Sequence, residues 1–206
     1  MSITVTELRE LSPKKFAVGF SDGSVIKLSL DAISDLSLFQ GKELSEEELS
    51  ELNSRASLSS CKERALRIIA AKPMSCGELY SRLTEKGETP ENAEECIEWL
   101  LERHYLDDRQ YAGMIVRHYA GKGYGIHKIK AELYRRKIPK EIWEDALSEM
   151  PENEDAVYEL LRRKLKSTSP DRAELKKAAD ALYRRGFSWD EIRAAIDRFN
   201  SENLDY

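Results

Sequence analysis

Leu182-Tyr183-Arg184-Arg185-Gly186-Phe187 reads almost as a copy of Leu133-Tyr134-Arg135-Arg136-Lys137-Ile138, and a fainter copy stands at Leu83-Thr84-Glu85-Lys86-Gly87. The three leucines are 50 and then 49 residues apart, and each precedes by four residues a junction at Gly87, Lys137 or Gly186. Such a position suits a helix that closes on a left-handed residue. A regular period of this length predicts a repeat, because one small helical unit buries its apolar face only by leaning on a neighbour.

Helices with apolar residues at helical spacing flank each junction. In the first repeat Ala65, Leu66, Ile68 and Ile69 precede Pro73. Ser75 to Glu78 caps a helix bearing Leu79 and Leu83, and Thr89-Pro90 opens a third with a stripe of Ala93, Ile97, Leu100 and Leu101 and with Cys96 and Trp99 at its margins. The second repeat starts at the cap Asp107, carries Tyr111, Ala112, Ile115, Val116 and Tyr119, and breaks at Gly121-Lys122-Gly123-Tyr124-Gly125. Ile126, Ile129 and Leu133 form its next stripe, and Pro139 starts a helix with Ile142, Ala146 and Leu147. The third has Val157, Leu160 and Leu161, a helix starting at Ser169-Pro170, and a capped helix from Ser188 with Ile192, Ala195, Ile196 and Phe199.

Residues 1–58 read differently. Ile3 to Leu8, Lys15 to Phe20 and Ser24 to Leu28 are short β-branched or aromatic runs, and Asp22-Gly23 supplies the positive φ angles of a tight hairpin. A short helix follows over 31–38, and the capping box Ser45 to Glu48 opens another that runs to about Arg55. The expected fold is mainly α: three tandem three-helix repeats (59–106, 107–150, 151–206) in an extended row, preceded by a small β-meander with short helices (1–58).

Composition excludes several functions. The three cysteines, Cys61, Cys76 and Cys96, are an odd number with no CxxC pair, so they read as reduced thiols. His104, His118 and His127 are spaced 14 and 9 apart, which puts no two on one helix face as metal ligands, and no cofactor or metal is expected. The Gly121 to Gly125 segment follows a helix and lacks the terminal Lys-Ser/Thr of a phosphate loop. With no convergent acid–base groups, the chain reads as a non-enzyme. No run of eighteen apolar residues occurs and the first residues lack the basic-then-apolar order of a secretory signal, so a cytoplasmic protein without membrane contact is expected.

Net charge is −5, and residues 1–60 hold much of it with ten acidic against six basic side chains. The cations of the second repeat cluster: Arg117, Lys122, Lys128, Lys130, Arg135, Arg136, Lys137 and Lys140, interleaved with Tyr119, Tyr124 and Tyr134. Lys128 and Arg135 are seven apart, facing away from Ile126, Ile129 and Leu133. This face could meet phosphates and bases, or an acidic protein groove, or only solvent.

Leu106-Asp107-Asp108-Arg109-Gln110-Tyr111-Ala112, Val116-Arg117, Lys122-Gly123-Tyr124-Gly125 and Ile129-Lys130-Ala131-Glu132-Leu133 together resemble the RecX family. The likeness extends into the first repeat at Ala65-Leu66, Leu79, Leu83, Lys86-Gly87 and Trp99-Leu100, and more loosely into the third. It implies a bent row of three-helix units and a modulator of the RecA recombinase. Such a protein binds the RecA filament on single-stranded DNA and restrains strand exchange and ATP turnover without chemistry of its own. On that resemblance Arg117, Tyr119, Lys122, Tyr124, Lys128, Lys130, Arg135 and Arg136 are the expected contacts to filament and DNA, made by a monomer. The family pattern has Gly-Pro where this chain has Gly125-Ile126, and Lys-Gly-Ile where it has Arg136-Lys137-Ile138, which bears on two helix junctions. The competing reading is a stand-alone DNA-binding protein whose repeats act as helix-turn-helix units; overall acidity and the lack of base-reading Asn or Gln weigh against it.

Overall fold

The computed structural model describes residues 2–150, 154–167 and 169–204. The repeat boundary expected at 151 and the chain end at 206 lie outside the described residues. The chain divides into two compact units, one of residues 1–73 and 79–105, the other of 74–78 and 106–206.

The first unit begins with an antiparallel sheet of β1 (Ile3–Ser12), β2 (Lys15–Phe20), β3 (Val25–Ser29) and β4 (Glu43–Leu44), in the order β3-β2-β1-β4. Register pairs Leu8 with Val18 and Phe16 with Leu28. Val5, Val18, Phe20 and Leu28 form the core with Ile33 of α1 (Leu30–Asp35) and Leu52 of α2 (Glu46–Ala71). Only Gly23 of the expected Asp22-Gly23 pair takes a positive φ, +84°. The loop is therefore a type I turn closed by a left-handed glycine, with the Phe20 N–H donating to the Ser24 carbonyl at 2.9 Å.

The capping box at Ser45 forms as expected: the Glu48 N–H donates to Ser45 Oγ at 3.1 Å, and the Ser45 N–H to the Glu48 carboxylate at 2.9 Å. The helix it opens does not stop near Arg55. It continues to Ala71, straight through position 58, where the sequence suggested a module boundary. Ser54, Ser57, Ser59 and Ser60 weaken helix propensity without breaking it, and burial of Leu52 against the sheet at one end and of Cys61 and Ala65 on the opposite side further along holds the segment helical. The far half of α2, α3 (Cys76–Glu85) and α4 (Pro90–Glu102) make the first three-helix unit. Its core holds Cys61, Ala65, Leu79, Leu83, Ala93, Cys96 and Leu100. Cys96, expected at the margin, lies fully buried, whereas Leu101 is 40% exposed. The inward stripe is 93, 96, 97 and 100, the i, i+3, i+4, i+7 set of one helix face.

In the second unit, α5 (Asp108–Gly121), α6 (Ile126–Arg135) and α7 (Trp143–Ser148) surround Ala112, Val116, Ile129, Leu133 and Ala146. A 3-10 turn, Lys140–Ile142, leads into α7. Helices α8 (Glu154–Lys164), α9 (Arg172–Arg184) and α10 (Trp189–Leu204) surround Leu161, Leu182, Phe187 and Ile192. The α9 cap is Asp171, which accepts from the Glu174 N–H at 2.7 Å, rather than the expected start at Ser169-Pro170. Aspartate competes well for this role because its carboxylate also answers the positive helix start.

Within the second unit the junctions contact helix starts of the preceding repeat. Gly125 and His127 donate their N–H groups to the carbonyls of Arg185 at 3.0 Å and Gly186 at 3.1 Å. Residues 75–77 meet the earlier junction: Ser75 Oγ donates to the Arg136 carbonyl. A Cβ on Gly77 would lie 2.7 Å from the Lys137 Cβ. Helix starts carry unsatisfied N–H donors, and carbonyls of the next repeat supply part of what they need. The two departures from the family pattern preserve this geometry: α6 starts at Ile126 without proline, and Lys137 takes φ +53°, where Gly186 takes +92°.

Candidate partner-binding face

Helix α6 has one apolar side, where Ile129 and Leu133 are fully buried, and one cationic side. Lys128 and Lys130 are exposed and have no acidic partner among the described residues. Lys122 is the C-cap residue of α5, and its carbonyl and that of Gly123 lie 3.4 and 3.3 Å from the Arg185 guanidinium. Tyr134 is 71% exposed. Tyr119 and Tyr124 meet with ring centres 5.5 Å apart, and Arg185 lies 5.6 Å from the centre of the Tyr124 ring.

The arginines of the expected face are engaged within the unit. Arg117 pairs with Glu149. Arg135 and Arg136 both bind Glu132, one and two positions past the i+2 gap at i+3 and i+4. Glu132 is only 7% exposed. Hydrogen bonds from Arg135 draw its carboxyl down to about 2; burial opposes this, and Arg136 and Tyr119 add to it. For Arg136, whose side chain is 16% exposed, burial works against the charge, and bonds to Glu132 and Tyr111 more than offset it. Arg135 keeps 64% of its side chain in solvent and can face a partner while Glu132 orients it.

The eight expected residues thus share one unit in unequal states. Lys122, Lys128 and Lys130 have no acidic partner among the described residues, Arg135 is oriented and exposed, Arg117 is ion-paired, and Arg136 is a mostly buried strut. The sequence reading missed Glu132, Glu149 and Arg185. A Glu three and four residues before two arginines was a legible signal for Glu132, whereas Glu149 and Arg185 reach the site only through tertiary packing. Among the described residues no group of His, Cys, Asp and Glu could hold a metal, and no helix is long and apolar enough to cross a membrane.

Three family descriptions match in register with the helical units: "RecX, first three-helix domain" over residues 61–100, the second over 107–147 and the third over 152–196. "Regulatory protein RecX" of Vibrio vulnificus (strain CMCP6) is 31% identical over 139 residues, covering 66% of this chain and 91% of that one. The chain belongs to the RecX family. Its counterpart in Xanthomonas axonopodis pv. citri (strain 306) is 34% identical over 143 residues, covering 68% and 88%. Among solved structures, "Crystal structure of regulatory protein RecX" superposes with a TM-score of 0.78 at 17% identity, covering 95% of this chain and 99% of that one. RecX from Lactobacillus salivarius gives 0.64 at 23%, covering 70% and 97%. These likenesses show the fold. The cationic α6 face lies in the second three-helix domain of the RecX pattern.

Proposed function

We propose that this RecX chain is a non-catalytic regulator that binds the RecA filament on single-stranded DNA and lowers its strand exchange and ATP turnover. The observation that carries this reading is a RecX second domain whose α6 presents Lys128 and Lys130 to solvent without acidic partners among the described residues. Arg135 stands beside them in a fixed orientation. Free cations on a rigid helix favour fast capture of a polyanionic assembly, because no internal ion pair must break first.

The test is titration of the purified chain into RecA filaments preformed on single-stranded DNA with ATP, following filament binding and phosphate release, with naked duplex as control. Saturable binding with falling hydrolysis is expected. Equal affinity for naked duplex, with hydrolysis unchanged, would replace this reading with the stand-alone DNA-binding one.

A further inference from the structure

The first unit holds a second cationic feature, away from α6 in sequence and unused by the reading above. An open cleft of about 540 Å³ is lined by Arg64, Arg67 and Lys72 of the α2 end, by Arg82 and Lys86 at the α3 end, and by Ile68 and Ala71 between them. None of these lining residues is acidic, in a unit whose first sixty residues hold ten acidic against six basic side chains.

The five cations are not equivalent. Arg64 is anchored, with its Nε 3.0 Å from the Glu88 carboxylate and its Nη1 donating to the Lys86 carbonyl at 3.2 Å. Arg67 spends only its Nε, on the Glu63 carbonyl at 3.3 Å. Arg67, Lys72, Arg82 and Lys86 are exposed and have no acidic partner among the described residues. Cations near helix C-termini can be explained as complements to the helix dipole, at about 0.3–1 kcal/mol each. That account covers Lys72 and Lys86, at the ends of α2 and α3, and Arg82 in the last turn of α3, but not Arg67, which stands a full turn inside α2.

We propose that this cleft is a phosphate-binding groove that takes the sugar–phosphate backbone of a nucleic-acid strand, independently of the α6 face. Arg64 to Lys72 spans eight residues, about 12 Å along the helix axis. At about 3.4 Å per step of one strand, that length meets about three phosphates. The floor is aliphatic and shallow, and no lining residue is aromatic, so backbone charge is read and bases are not stacked. The same floor lacks the deep apolar pocket in which a protein partner would seat an anchor side chain.

The experiment is fluorescence anisotropy of a fluorescein-labelled oligothymidylate with the full chain and no recombinase, across a salt series. Expected is binding whose logarithmic salt slope is about −2, from about three phosphates at about 0.7 each. The pair Arg82→Glu with Lys86→Glu should lower affinity at least tenfold and flatten the slope. The neutral pair Arg82→Gln with Lys86→Gln should fall between, and it decides the matter if the reversed pair fails to fold by circular dichroism. Absence of binding by the wild-type chain, unchanged affinity in the folded cleft variants, or stronger binding of labelled polyglutamate than of oligothymidylate would each overturn the proposal. Because no RecA is present, failure here leaves the filament reading standing.

Discussion

Gly125 gives its backbone N–H to the carbonyl of Arg185 at 3.0 Å, so main chains from successive repeats meet with no side chain between them. A Cβ on Gly125 would stand 2.3 Å from the Gly186 carbonyl oxygen, although the backbone there, at φ −81°, suits any residue. Gly125→Ala should therefore cost about 2–3 kcal/mol of stability through the collision alone. Gly121→Ala, at the end of α5 with open space around it, should be neutral or slightly stabilising. Urea denaturation of both variants checks this; equal losses at the two sites would defeat the account of the seam.

Lys137 holds φ +53° where the matching position of the next repeat is glycine. Lys137→Gly should raise stability by about 0.5 kcal/mol, because relief of left-handed strain outweighs the extra freedom glycine gains on unfolding. Gly186→Ala, with a Cβ 2.3 Å from the Lys128 nitrogen and φ +92°, should cost about 3 kcal/mol or more. Thermal melts of the pair should move in opposite directions.

Glu132 gives the fold a pH signature. Its carboxyl titrates near 2 in the folded chain against 4.5 when unconstrained, so the folded state favours its ionised form. The resulting stability is present in full above about pH 4.5 and is lost as pH falls toward 2. After allowance for the solvent around Arg135 it amounts to about 2 kcal/mol. Glu132→Gln should show a deficit of that size at neutral pH that shrinks to nothing at the acid end. A deficit constant across pH would assign the loss to packing instead.

The two kinds of cation near α6 should separate by assay. Lys128→Glu and Lys130→Glu should weaken filament binding and its salt dependence with stability unchanged within about 0.5 kcal/mol. Arg136→Ala should instead destabilise by about 2 kcal/mol, by leaving the Tyr111 hydroxyl without its partner and Glu132 with Arg135 as its remaining cation. Lysine variants that bind normally would remove this face from the filament contact.

The thiols should be silent in the native state. Burial pushes Cys61 and Cys76 up to about 12 and Cys96 upward as well, leaving almost no thiolate at neutral pH. Ellman's reagent should label none of the three quickly in buffer and all three in denaturant; a fast native thiol would contradict the packing of these helices.

The repeats were legible because caps and stripes are local. Ser45, Thr89, Asp107 and Ser188 all receive or return the hydrogen bonds their spacing predicts. The continuity of α2 was not, since four serines between Asn53 and Cys61 resemble a break unless one knows that Leu52 and Cys61 are both buried. The basic density around α6 was equally visible in the text, but its sorting into free lysines and engaged arginines was only partly so. Glu132 could be read from helical spacing, while Glu149 lies 32 residues from Arg117 and Arg185 lies 61 from Tyr124.

The joints between repeats have a consequence for how this lineage can change. A contact in which Gly125 and His127 address the carbonyls of Arg185 and Gly186 asks that backbone arrive at the right place and that the two glycines stay bare, and it consults no other side chain on either bank. Substitution can therefore run freely over most of the surface, while an inserted or deleted residue between the partners would slide every joint out of reach. Drift under that rule would erode spelling and keep the fold, as in a RecX structure that shares 17% of this sequence and still overlays with a TM-score of 0.78.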